Sequence, residues 1–163
     1  MKKIVLVSTL LLCSACSPKF DWREIRGNDA PYTVLLPGKP TSFSKDMLLD
    51  GVELKMTMTA SEAGGVSFAV GSAKLGRPEQ APHVLDAMKA GMVSNIHGKL
   101  ADGTPAGAGD IEIHGQLQNG APVLLVGRFV ARGPWVYQAV IMGPERAVSR
   151  EVIDTFMTSF KTN

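Results

Sequence analysis

Cysteine is nearly absent from this chain of 163 residues: there are two, Cys13 and Cys16, both within the first sixteen positions. The remainder has no disulfide to hold it, so packing alone must stabilise the fold. A structural zinc site takes four ligands at regular spacing, and one CxxC supplies half of that. Histidine is equally scarce. His83, His97 and His114 are scattered, and no pair has the spacing of metal ligands, so no metal or other cofactor is expected. Long apolar runs are missing as well. The N-terminal run, Ile4 to Leu12, is too short for a hydrocarbon core, which takes about 20 residues. There is also no surplus charge of one sign. Of 17 Lys/Arg against 15 Asp/Glu, Lys2 and Lys3 stand before the apolar run, and without them the two signs balance. A neutral body has no long-range field to attract nucleic acid, which is therefore not an expected partner.

What is present at the N-terminus is ordered. Met1-Lys2-Lys3 is a short positive segment, Ile4 to Leu12 an apolar one, and Ser14-Ala15 are small. That is the layout of a secretory signal peptide. Cys13-Ser14-Ala15-Cys16 resembles the bacterial lipobox (Leu, small, small, Cys), with Cys13 where Leu is usual and Leu12 one place earlier. The resemblance implies a signal peptide over 1–15, removed together with Cys13, and lipidation of Cys16, which then anchors the chain to a membrane. Two or more acyl chains hold stably, since each buried methylene contributes about 0.8 kcal/mol. A redox role for the CxxC would need both thiols in the mature protein. Ser17, by the lipoprotein sorting pattern, implies the periplasmic face of the outer membrane. Residues 16–30 then form the lipidated N-terminus and a tether. Phe20, Trp22 and Ile25 sit there among charges, which suits a linker, a short helix on the domain or an interfacial element.

Residues 31–163 are expected to form a single domain around one core. "YTVLLP" (Tyr32 to Pro37) reads as a strand, followed by a short one near Phe43 to Leu49. Asp50-Gly51 marks a hairpin. In "VELKMTMTA", Val52, Leu54, Met56 and Met58 alternate with polar residues, as in a strand with one buried face. Gly64-Gly65 leads into "VSFAVGSA". Pro82 suits the first turn of a helix whose stripe is Val84, Leu85, Met88, Met92 and Ile96, with Gly98 as its stop. "ADGTPAGAGD" is a loop. Two strands around Asn119-Gly120, a third after Arg132-Gly133-Pro134, and a helix with stripe Val148, Val152, Ile153, Phe156 and Phe160 complete the chain. The predicted class is α+β, with one antiparallel sheet of about six to eight strands and two main helices packed on it. "YTVLLPGKP", "VYQAVIMGP" and "FMTSF" resemble PsbP/Mog1-like domains, and the whole chain is similar to small uncharacterised proteobacterial lipoproteins. Folds of this kind host unrelated roles, so no activity is implied.

Three motifs invite chemistry and are better read as structure. "GVSFA" ends in Ala69 where a nucleophile motif needs Gly, and Ser67 starts a strand rather than a strand-to-helix elbow. Met56 and Met58 have the Met-x-Met spacing that suits Cu(I), yet both share the apolar face of Val52 and Leu54, where methionine fills a core. "GTPAGAGD" lacks the Lys-Ser/Thr of a phosphate loop. No catalytic constellation emerges, so the chain is not expected to be an enzyme.

One polar cluster can be built. A three-residue loop, Asn119 to Ala121, pairs Ile111 with Phe129 and sets Glu112 beside Arg128, with His114 adjacent. A turn centred on Gly133 sets Gln138 beside Arg128. Glu112, Arg128 and Gln138 would then form a cross-strand row, with an ion pair on a sheet face as its plain reading. The favoured function is a non-enzymatic envelope lipoprotein that binds a periplasmic partner, protein or lipid, or assists envelope assembly. The alternative is a carrier or sensor of a small hydrophobic ligand held between sheet and helix, and a hydrolase comes last. A formed apolar pocket would favour the carrier, and an open sheet edge or apolar patch the partner binder.

Overall fold

A computed structural model of the protein describes residues 19–101 and 110–163. Cys13, Cys16 and Ser17 lie outside the described residues, as does most of the Gly/Ala-rich loop after Ala101. Among the described residues no helix is long and apolar enough to cross a membrane.

The chain opens with five strands: β1 (Trp22–Arg26), β2 (Tyr32–Pro37), β3 (Thr41–Leu49), β4 (Val52–Ala63) and β5 (Val66–Lys74). Helix α1 (Ala81–Asn95) follows, then β6 (Lys99–Leu100), β7 (Asp110–Gln116), β8 (Pro122–Arg132) and β9 (Trp135–Gly143). Helix α2 (Arg150–Ser159) and the two-residue β10 (Lys161–Thr162) close it. The class is α+β as predicted, built on a seven-stranded antiparallel sheet in the order β3-β4-β5-β9-β8-β7-β6. A smaller sheet, β1-β2-β10, is added to it. The first predicted strand, β2, belongs to that smaller sheet.

The tether is shorter than expected. Trp22–Arg26 pairs along its whole length with β2. Phe20 stacks on Trp22 at 5.6 Å, and both rings meet Phe68 edge-on at 6.0 and 5.5 Å. Offset and edge-to-face aromatic pairs add about 0.5–1.5 kcal/mol each beyond their buried area. Three aromatic contacts thus draw a charge-rich segment onto the domain.

Alternation along the strands gives the main sheet two apolar faces. On one, Phe68, Val70, Tyr137 and Ile141 pack with Phe156 and Ile153 of α2 and with Val34 and Leu36 of β2. On the other, Leu54, Met56, Ile113, Leu125 and Phe129 pack with Val84 and Met88 of α1. The layers are therefore α1, the main sheet, then α2 with the smaller sheet. Fully burying one large apolar side chain contributes about 1.5–3 kcal/mol, so both layers are strongly held.

Local chemistry sets the element ends. Asp50 and Gly51 (φ 46 and 82) and Gly64 and Gly65 (φ 60 and 76) form two-residue hairpin loops. Both central residues are left-handed, as a type I′ turn requires. Ser149 caps α2 by accepting from the Val152 amide at 3.4 Å. Helix α1 ends differently from expectation: His97 (φ 45), not Gly98, is the left-handed residue. Its amide donates to the Ser94 carbonyl at 3.1 Å and that of Gly98 to Val93 at 2.9 Å, a Schellman closure. Glycine is needed at 98 for another reason, because a Cβ there would lie 2.4 Å from Ile113 Cγ2.

Candidate functional site

The expected polar row does not form, and the turn geometry explains why. The loop between β7 and β8 has the expected three residues, but they are Gln118, Asn119 and Gly120. The Gly120 amide donates to Leu117 and the Leu117 amide to Ala121. Gly120 (φ 78) is the last loop residue, where a three-residue hairpin needs a left-handed conformation. The register shifts by two, which preserves the face: Arg128 stands opposite Asp110, and Glu112 opposite Val126. The next loop is the two-residue Gly133-Pro134, with Arg132 opposite Trp135. That shift is by one residue, so Gln138 stands opposite Phe129 and turns to the α1 face.

Arg128 grips Asp110 with two bonds of 2.6 and 2.7 Å and donates a third, of 2.6 Å, to the Met157 carbonyl in the last turn of α2. Asp110 raises the Arg128 pKa above its usual value, while burial pulls the other way. Glu112 accepts from Arg150 at 2.9 Å, and its other oxygen lies 3.4 Å from His114 Nε2. His114 Nδ1 meets Glu145 at 2.6 Å. Glu112, His114 and Arg128 therefore clamp α2 and its approach to the sheet, whereas Gln138 has no part in this. Sequence reasoning missed Asp110, Glu145 and Arg150. The alternation of Asp110, Glu112 and His114 along one strand face was the available signal.

The other motif residues have structural places. Ser67 lies inside β5 with no strand-to-helix elbow. His83 Nε2 meets the Asp50 carbonyl at 3.1 Å and its carboxylate at 3.0 Å, pinning the β3–β4 turn to the start of α1. Among the described residues no group of three or more His, Cys, Asp or Glu could hold a metal.

The concave feature that sequence reasoning did not assemble lies on the α1 face, a groove of about 270 Å³ between α1 and the β3–β4 hairpin. Met47, Met56, Met58, Met88 and Met92 line it. Met56 is buried and Met58 half-buried, both on the face of Val52 and Leu54. Gln138 is at the groove floor, where its amide donates to Met58 Sδ at 3.6 Å. That contact crosses Gly71, which stands between Met58 and Gln138 in the ladder. Opposite, Gly91 of α1 lines the wall, and a Cβ there would meet nothing within 4 Å.

Strand β3 forms the rim of this groove and the end of the main sheet. Residues 41–48 are all exposed, and the outer edge has no strand partner among the described residues. Phe43, Lys45 and Met47 face the groove, with Phe43 60% exposed, while Leu48, 67% exposed, faces the other side. Comparison with protein-family models and with curated proteins finds no match.

Proposed function

We propose that this chain is a non-enzymatic envelope lipoprotein, anchored through Cys16 at the periplasmic face of the outer membrane, whose domain binds a periplasmic partner. The carrying observation is the β3 edge, with Phe43, Met47 and Leu48 exposed on it beside a methionine-lined groove. Sheet edges of this length are ordinarily covered or blunted, because a row of free amides and carbonyls templates pairing with another chain. An extended segment adding to β3 would gain main-chain bonds and direct every second side chain toward the groove. Methionine side chains adapt to apolar groups of varied shape. The Glu112, His114 and Arg128 side chains are engaged in holding α2, which fits binding better than catalysis. The likeness to PsbP/Mog1-like domains belongs to the same proposal and rests on the sequence phrases and the layer order.

The groove also supports a second reading, a carrier of a small hydrophobic ligand, since it lies between sheet and helix with an apolar lining. One experiment separates the two. A photo-crosslinking residue is placed at Met47 in the full-length chain in cells, with a control at Asp154 on α2, and adducts are identified by mass spectrometry. A defined protein adduct at 47 and none at 154 is expected. Lipid adducts alone would favour the carrier, and equal labelling at both positions would remove the β3 edge from the proposal.

A further inference from the structure

A second cleft, of about 330 Å³, opens on the sheet face opposite α1, where the turn at Asn28 and Asp29 between β1 and β2 overhangs β3, β4 and β5. Its floor is made of hydroxyls. Ser42 bonds Thr59, and Ser44 bonds Thr57, each at 2.8 Å across the β3–β4 ladder. Ser72, beside Thr57 on β5, is 4% exposed and makes no side-chain hydrogen bond among the described residues. Among the described residues the sealed side-chain polar atom without a partner is Ser61 Oγ, not Ser72; the Ser72 hydroxyl lines the cleft without a bond of its own and is available to a bound group. The Tyr32 phenol, buried and facing Thr59, forms the inner end; burial pushes its pKa up, partly offset by Thr59.

The rim has a different character from the floor. Lys55 and Lys74 are exposed and not ion-paired among the described residues, and both line the cleft. Asp29 adds one acceptor charge, which leaves the cleft with a surplus of one positive charge. Trp135, opposite Lys74 in the ladder, presents a half-buried indole to the same space. The volume is near the lower end of the ~300–1,000 Å³ range of small-molecule clefts.

We infer that this cleft binds a saccharide carrying one anionic group. Hydroxyls that both donate and accept match the alternating donors and acceptors of a sugar. An indole accommodates the apolar C–H face of the ring. The two lysines take the charge as flexible point cations, which suits either a carboxylate or a phosphate substituent. An apolar ligand would strand the hydroxyl floor, and a bare anion would leave it unused. The site lies across the sheet from the methionine groove and is independent of the partner-binding proposal.

Ligand-observed saturation-transfer NMR on the full-length chain in detergent micelles tests this with glucuronate, glucose 6-phosphate, glucose and inorganic phosphate. Saturable binding of at least one charged sugar is expected, at least tenfold tighter than glucose. Lys55→Gln with Lys74→Gln should abolish that tenfold preference. Ser72→Ala should weaken charged and neutral sugars alike, with thermal melts confirming that each variant folds. The two charged sugars distinguish a carboxylate source from a phosphate source. Failure of both to saturate would overturn the inference. So would inorganic phosphate binding as tightly as the sugars and insensitive to Ser72→Ala, because that describes an anion site only.

Discussion

Gly91→Ala offers a test in which stability and binding move in opposite directions. Gly91 lies inside α1, where glycine costs about 0.5–1 kcal/mol relative to alanine. In a packed helix the added methyl often meets a neighbour and cancels the gain. Here it would meet nothing within 4 Å, because the methionine groove opens at that point. The expected result is a stabilisation of about 0.5–1 kcal/mol, or a melting temperature higher by about 2–3 °C for a domain of this size. The same methyl narrows the groove, so crosslinking to a partner from position 47 should fall. Gly71→Ala, at the groove floor, makes the opposite case. Its Cβ would lie 2.7 Å from Met58 Sδ and 2.8 Å from Gln138 Cγ. Overpacking costs about 1–3 kcal/mol, against about 0.4–1 kcal/mol gained from a less flexible unfolded chain. A net loss of up to about 2.6 kcal/mol follows. Thermal and urea melts of both variants, with crosslinking yield in parallel, decide the matter. A destabilised Gly91→Ala, or a Gly71→Ala more stable than the wild type, would refute the groove geometry.

Arg128→Met should lose about 1–2 kcal/mol, since it removes a half-exposed bidentate pair with Asp110 and the bond to the Met157 carbonyl; the loss should shrink in high salt, read by melts at two ionic strengths. Tyr32 and Tyr137 both have phenol pKa values raised, mainly by burial. Folded phenols therefore hold their protons above pH ~10, where unfolded ones release them. Their contribution is intact below pH ~10 and is lost as pH rises through the folded-state values, so Tyr32→Phe should flatten the alkaline fall in melting temperature. Palmitate labelling should vanish in Cys16→Ser, and label that persists, or Cys13 found in the mature N-terminal peptide, would end the lipoprotein reading.

Strands β4 and β5 and helix α2 were legible because their periodicity is strong. The stripe of Val152, Ile153 and Phe156 is buried, and the left-handed demands of Asp50-Gly51 and Gly64-Gly65 are met where the turns were expected. Register was less legible. Asn119-Gly120 fits a two-residue loop or a three-residue one ending at Gly120, and each alternative moves every downstream pairing. Gly133-Pro134 moved Gln138 through the sheet by a single residue. The segment from Trp22 to Arg26 lacks a clean alternation, and its strand exists because β2 and Phe68 lie beside it. The two clefts combine residues distant in the chain, such as Met47 with Met92 and Tyr32 with Ser72. No local pattern encodes those encounters.

The strand order has a consequence for how the protein folds. Strands β3, β4 and β5 form one continuous meander, and β7, β8 and β9 another, each joined by short loops. Among the described residues their strands pair only along β5 and β9, where Lys74 lies opposite Trp135 and Ser67 opposite Met142. Closing the hairpins costs little chain entropy, whereas joining the meanders requires α1 and the intervening loop to be closed as well. Two locally formed halves should therefore zip together late along a single seam. Val70→Ala, at that seam opposite Ala139, should mainly accelerate unfolding in stopped-flow experiments. A slowed refolding limb would instead place the seam in the nucleus. Each half exposes a long unpaired strand until zipping is complete, so the period of greatest vulnerability to misassembly is the interval between hairpin formation and seam closure.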